Sequence, residues 1–140
     1  MSKIGELDLL KELYGEIVIT EEVLNELGTE VPNWLIVRNP KNTSIQQTLN
    51  HLLDAGEASI IALAFDFDNV TLILDDLKAR KLAKGLNFKI TGTLGVLVKA
   101  KEAGFLKKIK PTINKLLQTD FRISDKVIQD ILNRADEERD

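Results

Sequence analysis

Cysteine is missing from this 140-residue chain, and histidine, tryptophan, tyrosine and methionine occur once each. Without cysteine there is no disulfide, no zinc–thiolate site and no thiol nucleophile, which fits a reducing compartment. The one histidine, His51, would have to serve alone in any His-rich metal site or Ser-His-Asp triad. No apolar run is long enough to span a bilayer, and the N-terminus MSKIGELDLL lacks the core of a signal peptide. The expected setting is therefore the cytoplasm, with no membrane partner. Repeats, low-complexity tracts and linkers are also absent. With 44% hydrophobic and 29% charged residues, the chain has the make-up of an ordinary globular protein rather than a disordered one. Its length predicts one domain over 1–140.

Negative charge is scarce in the middle of the chain and plentiful before it. Residues 1–77 hold 4 Lys/Arg against 14 Asp/Glu, whereas 78–115 hold 11 against the single Glu102. An acidic half beside a basic one suggests a carboxylate edge next to a surface suited to phosphates. The plainer alternative is that the lysines coat solvent-facing sides of helices.

Local patterns predict alternating helices and strands. Apolar spacing gives a helix over Gly5–Leu13, capped at Tyr14-Gly15. Strand Glu16–Thr20 follows, and Thr20 caps a helix from Glu21 to Leu27 that Gly28 stops. Trp34–Val37 reads as a strand with Trp34 as a core residue, and 44–53 as a helix with His51 in its middle as a surface or packing residue. Asp54-Ala-Gly-Glu57 has the form of a capping box opening an Ala-rich buried helix from Ala58 to Phe67, although a strand fits that apolar run as well. Strand 70–74 leads into helix Leu77–Lys84, with Leu77, Ala79, Leu82 and Ala83 facing the sheet. Strand 87–91, helices 93–103 and 111–118, and a last helix 125–134 capped by Ser124 complete the pattern. Such alternation predicts a parallel sheet with helices on both faces.

The organising stretch is Leu53–Asp76, which carries Glu57 near its start and ends with Asp75-Asp76 after the apolar strand. Two adjacent carboxylates repel unless solvent or a cation relieves them, and ligands of parallel α/β sheets sit beyond the carboxyl ends of strands. A divalent-cation site made by Glu57, Asp75 and Asp76 is one reading, with Glu26 as a further donor. The structural alternatives are specific: Glu57 as a capping-box residue, one Asp as an N-cap, and Glu26 as a surface glutamate. Gly92-Thr93, between a strand and a helix, is either a phosphate or metal-water contact or an ordinary cap.

Two other motifs fail on context. Phe65-Asp66-Phe67-Asp68-Asn69 has the form of a dehalogenase-type phosphotransfer loop, but it follows a helix rather than a strand. LILDDLKARKLAKGL resembles the opening of a response-regulator receiver, yet no later apolar strand ends in a phospho-acceptor Asp.

Taken together, GELDLLKELYGEIVITEEVLNEL, LDAGEASIIALA, LILDDLKARKLAKGLNFKITGTLGVLVKAKEAG and FRISDKVIQDIL resemble the prokaryotic, VapC-related branch of PIN domains over essentially the whole chain. The resemblance implies a three-layer α/β/α sandwich with a mostly parallel sheet and a metal-dependent ribonuclease using Mg2+ or Mn2+. It also implies RNA as substrate, a toxin–antitoxin setting with an antitoxin partner, and a homodimer. Carried onto this sequence, the acids are Glu26, Glu57 and Asp76 with Asp75 beside it. Arg80 and Thr93 match motif positions of the family, and together with Lys78 and Lys81 of the basic stretch they are the candidate nucleic-acid contacts. Family members place a strand carrying an Asp ahead of the helix matching IGELDLL. The expectation is thus a PIN-like fold lacking that first strand, with weakened metal binding. The alternative function is an inactive nucleic-acid-binding or dimerisation module.

Overall fold

A computed structural model describes residues 3–28 and 31–117, together with Gln129 and Leu132. The chain is α/β with short parallel strands, and it divides into two compact units, residues 16–93 and residues 1–15 with 94–140.

Residues 16–93 run β1 (Val18–Ile19), α2 (Glu21–Leu27), β2 (Ile36–Val37), α3 (Thr43–Leu49), α4 (Ala55–Ala64), β3 (Thr71–Ile73), α5 (Leu77–Gly85) and β4 (Lys89–Thr91). The label α1 belongs to Lys3–Tyr14 in the other unit. Thr20 caps α2 by accepting from the Val23 N–H at 3.2 Å, and Gly28 ends the helix at φ +89°, a conformation that favours glycine. Asn42 caps α3, its side-chain oxygen accepting from the N–H groups of Ser44 and Ile45.

Parallel pairing is as expected, but among the described residues the strands form two sheets of two rather than one. β1 pairs with β2 (Val18 opposite Ile36), and β3 with β4 (Leu72 opposite Ile90). Strands of two or three residues offer few ladder bonds, so the helices carry the core. Ala58, Ile61, Ala62 and Ala64 of α4 pack with Leu49 and Leu53, with Leu72 and Leu74, and with Ala79 and Ala83 of α5. Alanine at these positions lets backbones approach closely. The ambiguous apolar run is thus a helix, buried along nearly its whole length. Its one buried hydroxyl, Ser59 Oγ, donates to Gly56 O or shares a 2.6 Å bond with Thr20 Oγ1, so neither polar group is left unsatisfied.

Three local expectations are corrected. Leu77 does not face the core but is 65% exposed, because Ala79 and Ala83 define the inner face of α5 and a residue two places ahead of Ala79 points away from it. α3 stops at Leu49, leaving His51 in a turn rather than in a helix. Trp34 lies in a turn ahead of β2 and is only partly buried.

The other unit comprises α1, α6 (Thr93–Glu102) beyond its first residue, and α7 (Lys110–Leu117). Its core joins Leu9, Leu97, Val98, Ala100, Ile109 and Leu132. Gly15 (φ +81°) ends α1, and the Lys99 ammonium lies 4.6 Å from the centre of the Tyr14 ring. Apart from Gln129 and Leu132, the last helix expected from sequence lies outside the described residues.

Candidate functional site

The acidic residues are placed by three helix ends of the 16–93 unit. Glu57 lies in the first turn of α4, Glu26 in the last turn of α2, and Asp75 and Asp76 between β3 and α5. Glu57 is half-buried, and its carboxyl is held above the usual glutamate range. Burial is the main cause, followed by the negative charges of Asp76, Asp54, Glu26 and Asp75 in that order. Four acids thus act on a fifth, and the sequence-predicted set shares one electrostatic neighbourhood.

Each of the neighbours has a distinct local role. Asp76 is the N-cap of α5, its Oδ2 accepting from the Ala79 N–H at 3.0 Å. Asp75 turns the other way and accepts twice from Thr93, from its N–H at 2.7 Å and its hydroxyl at 2.5 Å. Glu26 is folded over Gly56, where a β-carbon would come within 2.8 Å of its Oε2. Only a residue without a side chain admits the carboxylate there, beside the positive end of α4. Asp54 starts α4 without any side-chain cap bond, so the capping box read from DAGE is not formed. Residual repulsion between Asp54 and Glu57 opposes bringing their side chains together at that turn.

The basic candidates divide. Lys78 and Lys81 are exposed on α5. Arg80 is half-buried and donates from Nη1 to Leu74 O at 3.0 Å. Its guanidinium and the Asp75 carboxylate crowd the same face of Gly92, 2.5 and 2.9 Å from where a β-carbon would stand. Arg80 and Thr93 are therefore engaged in holding β3, Asp75 and Gly92 together. The basic stretch 78–115 itself is shared between the two units.

An open cleft of about 320 Å³ adjoins the acids, lined by Glu57, Asp76, Lys78 and the turn Asn50–Asp54. Sequence reasoning missed this turn because α3 was expected to continue through it. It also missed Gly56, whose signal was a glycine in the first turn of an otherwise Ala-rich helix.

A donor set of carboxylates alone, repelling one another, is the chemistry of a site for a hard divalent cation. Among the described residues, however, no three acidic or histidine side chains stand close enough to hold one ion. The fit is thus in charge and donor type: Asp75 is turned to Thr93 and Asp76 to α5. No helix of the described residues is long and apolar enough to cross a membrane.

A family model described as a PIN domain matches residues 1–137. No curated protein and no solved structure gives a significant match.

Proposed function

Since this chain belongs to the PIN-domain family, whose members are generally nucleases that use divalent metal ions, we propose that it is a metal-dependent endoribonuclease centred on Glu57 and Asp76. The observation that carries the reading is the half-buried Glu57 at the edge of the cleft beside Asp76, its carboxyl raised first by burial and then by the neighbouring acids, Asp76 foremost among them. Glu57, Asp76 and Glu26 are the candidate ligands for Mg2+ or Mn2+, with Asp75 supporting them. As they lie, no three of these side chains stand close enough to share one ion, so binding would require them to close together. When bound, such an ion offsets the mutual repulsion of these acids and supplies Lewis-acid activation for water attack on a phosphodiester.

The chain's own residues set up that chemistry. The buried α4 fixes the position of Glu57, and Gly56 lets Glu26 approach the same turn. Thr93 and Arg80 secure the β3 end, from which Asp75 and Asp76 project. Lys78, exposed in the cleft, offers an ammonium to a phosphate oxygen. An antitoxin that covers this cleft, and a homodimer, belong to the same proposal.

The test is cleavage of a labelled single-stranded RNA by the full chain with Mn2+. Activity should vanish with EDTA and with Asp76→Asn. Isothermal calorimetry should detect Mn2+ binding that Glu57→Gln weakens. Absence of both cutting and metal binding would leave a PIN-type fold serving as a binding module.

A further inference from the structure

The cleft beside the acids has a second wall whose chemistry differs from theirs. Asn50, His51 and Leu52 form a turn between α3 and α4, facing the same space as Glu57, Asp76 and Lys78. Leu52 is 49% exposed, an apolar side chain held in solvent beside a charged cleft.

The wall is built rather than loose. Leu49 before it and Leu53 after it are both buried in the core around α4. The turn between them is wound tightly by backbone bonds: Asn50 N–H to Gln46 O at 2.9 Å, His51 N–H to Thr48 O at 3.2 Å, and Leu52 and Leu53 N–H both to Leu49 O at 2.9 Å. Two apolar anchors and four such bonds fix the positions from which His51 and Leu52 project. A lone exposed leucine is ordinary on a protein surface; what marks Leu52 is its fixed place in the lining of the cleft.

Three chemistries therefore meet in a cleft at the small end of the usual ligand range of roughly 300–1,000 Å³. These are carboxylates, one ammonium, and a flat imidazole beside an aliphatic side chain. A nucleotide presents the complement of the last two: an anionic phosphate and a base with an apolar face. Duplex bases are stacked on one another and hide those faces, so the complement is a single-stranded segment.

We propose that the turn Asn50–Leu53 together with Lys78 seats one unstacked nucleotide of a single strand next to the acidic centre. His51 and Leu52 take the face of the base, and Lys78 takes its phosphate. The seat rests on the nuclease reading only in sharing its cleft. It makes His51 and Leu52 specificity residues rather than catalytic ones.

The test is fluorescence anisotropy with labelled ten-nucleotide oligoadenylate and oligouridylate. The protein is the full chain carrying Asp76→Asn, in EDTA, so that nothing is cut. His51→Ala and Leu52→Ser, both exposed positions, should each weaken binding by at least about fivefold, the loss of part of one stacking contact. Lys78→Gln should weaken it too and lower the slope of log affinity against log salt by about 0.7, one phosphate contact of a single strand. Lys41→Gln, at an exposed residue outside the cleft, should leave binding unchanged. The seat is refuted if neither oligonucleotide binds, or if His51→Ala and Leu52→Ser bind as well as Lys41→Gln does. RNA cutting by the parent chain without these binding effects would sink the seat alone. Binding effects without any cutting by the parent chain would sink the nuclease reading alone.

Discussion

The Glu26 carboxylate occupies the space in which a side chain on Gly56 would begin, with Oε2 2.8 Å from the position of the missing β-carbon. Gly56→Ala should therefore displace Glu26 without removing any acid. Metal-dependent cleavage should drop by about tenfold, roughly 1.4 kcal/mol in the barrier. Thermal stability should change little, because alanine's gain of up to about 1 kcal/mol of helix preference over glycine offsets the cost of displacing Glu26. In a Glu26→Gln background the same change should add almost no further loss, and single-turnover rates of the four proteins in the cycle check this.

Asp76 joins a structural duty to a proposed chemical one, and the two separate by substitution. Asparagine is as good an N-cap as aspartate but carries no charge. Asp76→Asn should keep the folding stability and abolish cleavage. Asp76→Ala should abolish cleavage and also lower stability by about 1 kcal/mol through loss of the bond to the Ala79 N–H. Urea unfolding of both variants reads the difference.

Thr93 donates its hydroxyl to Asp75 at 2.5 Å across eighteen positions of sequence. Thr93→Ala should cost about 1 kcal/mol of stability, and Thr93→Ser should restore most of it by keeping the hydroxyl. A substitution series that moved stability equally for Ala and Ser would show that the methyl group matters instead.

Glu57 gives a pH signature. Its carboxyl is raised above 4.5 in the folded chain, so the native state holds more protons than the unfolded one from about that pH upward to the raised value. Stability contributed at this site is therefore lost as pH climbs through that interval and regained on acidification. Glu57→Gln should melt at a higher temperature than the parent at neutral pH in EDTA. The advantage should vanish below the ordinary glutamate range, where both side chains are neutral. Melting curves across pH test the sign directly.

Residues whose role depends on their immediate neighbours were legible from sequence. Thr20 before two glutamates gave the α2 cap, glycines at 15 and 28 gave two helix stops, and the Ala-rich run gave a buried helix. The neighbouring acids at 75 and 76 marked the end of a strand, and the structure keeps them there. What depends on tertiary contact was not legible. One Asp was legible as an N-cap, but nothing local says that Asp76 takes that role on α5 while Asp75 reaches forward to Thr93. Strands of two or three residues specify register weakly, so their division into two pairs could not be read from β-branched runs. The helical reading of 44–53 carried His51 with it. Leu49 and Leu53, both in the core, sit four apart and would share one face of a continuous helix, so the stop at Leu49 shows only in the structure.

α4 is enclosed along nearly its whole length, and Glu57 rides on its first turn. The acid thus has the rigidity of the protein interior rather than the freedom of a surface loop. Warming the chain should leave the geometry at Glu57 intact until the interior itself gives way, so that loss of chemistry and loss of fold arrive at one temperature.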